Sequence, residues 1–426
     1  MRPTVLFLIV LSLTRSASAD SLPGPDAWSV DAIALAAPSG IAPAAADHDD
    51  PFTLAEEERR VRANIAMLRE TGRYLPPAIG EGLFHPLFDW PLEDVRSGGF
   101  EPWFVGNFVD QDPAWPNQVL DYACGNRTYD TTEGYNHTGV DIALWPFPWR
   151  QKARGTVAVV AAAPGQIVDR IDGNPDDSCS LAGGVHNTVV LAHGDGSKSY
   201  YRHMKNGSVT AKQIGDTVAR GEQLGLVASS GNSTAPHLHF AARNDLEELI
   251  EPYAGLCNAQ ANGIESWWVD QPRYRPYALV DLMTHSSTPT LPPCPEIESP
   301  HFRRLFSADE TVVIGAYFRD TTPESGTSFE VRRVDGTLHT SFVANHATTQ
   351  NTLAAYWQFQ LPSILLPSWR GAWTIRATSH DALGELVVRE RTFWVGVIFA
   401  DDFERVSLTD AGWIQPLPLP DLARRP

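Results

Sequence analysis

Basic residues are scarce in this 426-residue chain: 33 Lys and Arg stand against 51 Asp and Glu, for a net charge of −18. Binding a polyanion requires a basic face, so this balance argues against nucleic acid as a partner and against tight electrostatic adhesion to an anionic wall polymer. Long apolar runs are equally rare. The stretch Val5-Leu-Phe-Leu-Ile-Val-Leu11 stands out, and it is shorter than the roughly 20 residues that span a bilayer. With Arg2 ahead of it and Ala17-Ser-Ala19 behind, it reads as a secretory signal over residues 1–19. The expected mature chain starts at Asp20 without a membrane anchor, and losing Arg2 and Arg15 takes its net charge from −18 to −20. Cysteine is limited to Cys124, Cys179, Cys257 and Cys294. None forms a C-x-x-C pair, which disfavours a zinc knuckle; an oxidising compartment permits disulfides, in three alternative pairings.

What remains is long enough for two or three domains. Residues 20–51 are rich in Ala, Pro and Asp without periodicity, as in a flexible leader. A helical segment is expected within 52–99: Thr53-x-x-Glu56 resembles a capping box, Leu54, Val61, Ile65 and Leu68 recur at helical spacing, and Gly72 suits a stop. Such a helix either packs on the next domain or acts as a pro-region covering a cleft. From 100 to 285 the pattern changes to short strands between glycine turns, including 157–160, 188–191, 199–202 and 225–228. A Pro- and Thr-rich linker follows at 286–300. Residues 301–398 carry a second series of alternating strands, expected to form a small immunoglobulin-like β-sandwich whose Trp357, Trp373 and Trp394 are more often core than ligand platform, and which either binds wall or a partner protein or only covers the preceding domain. The tail at 399–426 has no fold signal.

Two motifs carry chemistry. His137-Thr-Gly-Val-Asp141 and His237-Leu-His239 together offer three imidazoles and a carboxylate, the ligand types of a hydrolytic zinc that keeps one position open for water. As a strand, His237-Leu-His-Phe240 places both imidazoles on one face, about 6.6 Å apart along the chain, with Leu238 and Phe240 in the core behind. Neighbouring positions on a strand do not easily both ligate one ion, which leaves one histidine as ligand and one beside it. Asp141 lies between Val140 and Ile142, where a carboxylate needs a strong partner such as a divalent cation.

These motifs and the blocks between them, Ala161-Ala-Ala-Pro-Gly165, Val189-Val-Leu-Ala-His193, Tyr201-Arg-His-Met204, Gly221-Glu-Gln-Leu-Gly225 and Pro236-His-Leu-His-Phe240, resemble in order those of the lysostaphin-like (LytM-type) zinc metalloendopeptidases, a family of peptidoglycan hydrolases. The resemblance implies Zn2+ held by His137, Asp141 and His239, with His203 and His237 as the catalytic pair. Thr234-Ala-Pro236, where many relatives have a glycine, and Met204, where leucine is usual, bear on cleft shape. His193 is expected to be structural and His186 a loop residue. Tyr201 is expected either to pack in the core or to reach the oxyanion from the face of His203. The sequons at Asn126, Asn136, Asn206 and Asn232 include two next to the proposed site, which favours a bacterial exported protein.

The resulting expectation is a mainly β chain: an antiparallel lysostaphin-type peptidase domain with an N-terminal helical segment and a C-terminal β-sandwich. Its expected activity is hydrolysis of peptide bonds in peptidoglycan cross-links, in the periplasm or outside the cell. A non-catalytic wall-binding or amidase-regulating module, and a broader secreted protease, are the alternatives.

Overall fold

Apolar and polar residues alternating between glycine turns produce a mainly β chain. A computed structural model describes residues 51–396 except 97–99, 183, 259–264, 347–350 and 362–368. The expected signal, the leader up to residue 50 and the tail from 399 lie outside the described residues. Helix α1 (Pro51–Glu70) starts ahead of Thr53, so the anticipated capping box falls within the helix rather than at its boundary. It stops at Gly72, whose φ of 65° is the left-handed conformation that glycine adopts without cost.

Next come β1 (Leu92–Asp94), β2 (Trp103–Asn107), β3 (Val140–Leu144), the short α2 (Pro148–Arg154), β4 (Val157–Val160), β5 (Gly165–Ile171), β6 (Thr188–Ala192) and β7 (Lys198–Arg202). Strands β8 (Thr217–Val218), β9 (Gln223–Leu226), β10 (His237–Arg243) and β11 (Leu249–Ile250) complete this half. The main sheet runs β2-β3-β10-β7-β6-β5-β8, with β11 on β10, and its pairings are antiparallel. A smaller sheet runs β1-β4-β9.

The period-two side-chain rule divides the main sheet into two faces. Val140, Ile142, Leu238, Phe240, Tyr201, Val189 and Leu191 enter the large core shared with the small sheet. The opposite face is apolar at one end, where Val168, Val190, Tyr200 and Ala241 meet Val61, Ile65 and Leu68 of α1. At its other end it carries Asp141, His237 and His239. Helix α1 therefore packs on the sheet, and on the face that holds the histidines.

A two-sheet sandwich follows, with β12 (Ala278–His285), β13 (Leu305–Phe306), β14 (Val312–Thr321), β15 (Gly326–Arg332), β16 (Leu338–Asn345), β17 (Thr352–Leu361), β18 (Gly371–His380) and β19 (Leu386–Val395). The sheets run β12-β14-β17 and β13-β19-β18-β15-β16. Residues 278–285, grouped above with the preceding domain, thus pair with a strand of the sandwich, because Leu279 and Leu282 belong to its core with Phe318, Phe329 and Trp373. Trp357 packs against that core from a half-buried position. Trp394 differs from expectation: alternation sends its neighbours Phe393 and Val395 inward and leaves Trp394 half-exposed on the other face.

The halves are joined by an apolar contact of Phe104, Ala143, Trp145 and Phe147 with Val280, Tyr317 and Ala354. A buried Arg127–Asp320 pair at 3.0 Å reinforces the junction. Of the three cysteine pairings left open by sequence, the fold brings together Cys124–Cys257 and Cys179–Cys294. The second ties the loop after β5 to the stretch before β13.

Candidate metal centre

Register creates the cluster. Strands β3 and β10 pair so that His239 lies opposite Asp141 and His237 opposite Ala143, on the same face. His137 precedes β3 and turns back towards Asp141. His137 Nε2 and His239 Nδ1 each lie 3.1 Å from Asp141 Oδ1. Two ligands of one tetrahedral ion with bonds of ~2.1 Å stand about 3.4 Å apart, so these separations suit a shared small cation. One donor atom from each of the three residues falls within 4.8 Å of the others, and all three side chains are fully buried. This donor set fits a divalent metal.

The surroundings fix each candidate ligand. His137 Nδ1 is 2.7 Å from Phe108 O, a hydrogen bond that puts the proton on Nδ1 and leaves Nε2 for the ion. Asn107 Nδ2 donates to Asp141 Oδ2 at 2.8 Å, which leaves Oδ1 turned to the histidines. Tyr129 stacks on the His137 ring with centroids 4.7 Å apart. Glycine is required at 139, where a Cβ would collide with the His239 ring and stand 2.8 Å from Phe240 O. Gly139→Ala should therefore displace His239, cost about 1–3 kcal/mol through overpacking, and lower metal occupancy in the purified protein. Elemental analysis showing full occupancy would contradict this close-approach argument.

The structure also brings His203 and His237 beside the cluster. His237 Nε2 is 3.7 Å from Asp141 Oδ1, farther than either candidate ligand, and its Nδ1 is 2.7 Å from Ala235 O. His203 follows β7 at a left-handed φ of 64°, with Nδ1 2.7 Å from Ser230 O. The two rings have centroids 4.6 Å apart. Both imidazoles thus have Nδ1 engaged by a backbone carbonyl, as His137 does.

Other histidines and Tyr201 separate cleanly. Tyr201 lies in the large core, where its hydroxyl accepts from the N–H of Ala162 at 2.9 Å, so packing is its role and it does not reach towards His203. His193 sits on that side too, between Pro164 O at 2.9 Å and Ser199 Oγ at 3.0 Å. Burial lowers its pKa from 6.5 to about 4. Below pH 6.5 the unfolded chain takes up a proton that the folded chain refuses until about pH 4, so this contribution to stability, present above pH 6.5, is lost as pH falls through that window. The slope reaches about 1.4 kcal/mol per pH unit for one full proton. His193→Gln should make the denaturation midpoint less pH-dependent between those values; an unchanged slope would contradict it. His186 lies in the loop before β6, as expected, but is buried there, 3.2 Å from Glu57 Oε1 and with its ring centroid 5.6 Å from that of His203.

Sequence reasoning missed Asn107, Tyr129 and Glu57. Asn107 lies opposite Asp141 only because β2 carries a bulge between Val105 and Asn107. Glu57 had one signal available: a carboxylate amid the apolar positions of α1.

The described fold carries a candidate metal centre, and part of it resembles known proteins. Residues 135–252 match the model of Peptidase family M23 and so resemble the LytM-type peptidases. The chain is 35% identical over 107 residues to the DD-carboxypeptidase/endopeptidase Mpg of Neisseria meningitidis, covering 25% of this chain and 20% of that protein. An uncharacterized metalloprotease of Haemophilus influenzae is 32% identical over 104 residues, 24% of this chain and 18% of the relative. The matched part thus spans about a fifth of these relatives' length. Among solved structures, the catalytic domain of the antimicrobial peptidase lysostaphin from Staphylococcus simulans aligns at 23% identity over 38% of this chain and 96% of its own, with a TM-score of 0.23.

Proposed function

We propose that this chain is an exported zinc metalloendopeptidase that hydrolyses peptide bonds in peptidoglycan cross-links, with His137, Asp141 and His239 as zinc ligands and His203 and His237 as the hydrolytic pair. One observation carries the reading: a buried carboxylate with two imidazole nitrogens each 3.1 Å from the same oxygen, beside a second pair of histidines. Two imidazoles and one carboxylate suit zinc with a position left open for chemistry. The relatives named as peptidases support hydrolysis of a peptide bond, and the peptidoglycan substrate rests on the family resemblance. Two disulfides agree with export. Among the described residues, no helix is long and apolar enough to cross a membrane.

When bound, zinc supplies Lewis acidity that polarises the scissile carbonyl and lowers the pKa of the attacking water. The chain's own groups do the rest. Asn107 holds the Asp141 carboxylate in one orientation. His203 and His237 donate their Nδ1 protons to Ser230 O and Ala235 O, which leaves each Nε2 able to take a proton from water or, once protonated, to return it to the leaving amine. A protonated ring of the pair also donates to the developing oxyanion. All five side chains are fully buried.

The test is clearance of purified peptidoglycan by the mature protein. Clearance that stops with a chelator and returns with zinc supports the proposal. A protein that binds the wall yet releases no peptide supports the wall-binding or regulatory module instead.

A further inference from the structure

Glu57 on α1 is a charged group in a place that packing does not explain. The rest of the helix's inner face is Val61, Ile65 and Leu68, whereas Glu57 is buried with 1% exposure. Its Oε2 accepts from Arg202 Nε at 3.0 Å and Nη2 at 2.6 Å. Its Oε1 accepts from Thr188 Oγ1 at 3.3 Å and lies 3.2 Å from His186 Nε2. Burial on its own raises a carboxyl's pKa; here Arg202 and His186 outweigh it and hold Glu57 well below the usual range. A helix that only covered a surface would not need a buried ionised carboxylate, which is expensive unless every partner is in place.

Those partners converge on His203. Arg202 precedes it in the chain and lies opposite His239 in the β7–β10 ladder. The His186 ring stands 5.6 Å from the His203 ring at 74°. Asn187, next to His186, donates its N–H to Ser230 Oγ, and the carbonyl of the same Ser230 receives His203 Nδ1. His203 is thus held at a left-handed φ by a frame whose buried charges are anchored from α1. Further bonds fasten the helix: Asn64 Nδ2 to Val168 O at 2.8 Å, and Arg243 with Glu58 at 3.2 Å.

We infer that Glu57 is a positioning residue for His203, which makes α1 a working part of the hydrolase rather than a removable cover. The inference rests on the proposed function. It is tested in the full chain by comparing Glu57→Ala and Glu57→Gln with wild type for kcat, KM, bound zinc and folded fraction on a defined muropeptide. Glu57→Ala should lower kcat on the order of 100-fold, the cost of misplacing a reacting group by about 1 Å, with KM and zinc content unchanged. Glu57→Gln keeps the volume and a carbonyl acceptor for Arg202, so it should restore part of that rate; it also decides the matter if the alanine variant does not fold. Folded, zinc-loaded variants running at the wild-type kcat would overturn the inference, as would rate losses that merely track lost zinc or lost folded protein. An inert wild type would instead remove the proposed function, and this inference with it.

Discussion

Replacing His239 by alanine should empty the metal centre and reduce hydrolysis to background. The residue supplies one of three clustered donors, so its loss leaves only His137 and Asp141 of that cluster, too few ligands to hold a divalent ion with a position to spare. The effect is readable without substrate. Metal that binds only the folded state stabilises it by about 4 kcal/mol when its free concentration is ~1,000 times Kd. Wild type should gain stability on this scale when zinc is added to the chelated protein, and His239→Ala should gain little. Asp141→Ala should behave alike, because both histidines face its Oδ1. A His239→Ala protein that binds one zinc as tightly as wild type would refute the assignment.

Substituting alanine for His203 or His237 should produce the complementary result: hydrolysis lost, zinc retained. General acid–base groups contribute about 10²–10⁴-fold to rate, and neither side chain belongs to the proposed three-ligand set. His237 is the sharper test because it alternates on the same strand face as His239 and lies close to Asp141. Its Nε2 stands at 3.7 Å against 3.1 Å for the proposed ligand pairs, and its Nδ1 is engaged by Ala235 O. Zinc titration of His237→Ala by calorimetry should therefore give one site, alongside a kcat depressed by at least about a hundredfold. Loss of the site would make His237 a ligand; near-normal turnover would remove it from the mechanism.

Much of this centre was legible because strand alternation writes a face into the sequence. His237-Leu-His-Phe240 separates two imidazoles from two core residues, and Val140-Asp-Ile142 puts a carboxylate on the same kind of strand, so a polar cluster backed by an apolar core is implied before the strands are paired. Which strand lies beside which is a long-range fact. The His239–Asp141 register and the bulge that brings Asn107 to Asp141 are absent from any local pattern. The carbonyls of Phe108, Ser230 and Ala235, which orient three imidazoles, are invisible because every residue has one. Glu57 and His186 meet across 129 positions of sequence. Trp394 misled for a different reason: on a strand with a mixed pattern, aromaticity suggested the core, while period two gave the inward places to Phe393 and Val395.

The most direct test of the account is mass spectrometry of defined cross-linked muropeptides incubated with the mature protein, after chelation and after zinc is restored. The account predicts new peptide termini within the cross-link, with the mass of one water gained per bond cut and shared between the two new ends, absent after chelation and regained with zinc. Intact muropeptides in the presence of folded, zinc-loaded protein would contradict it.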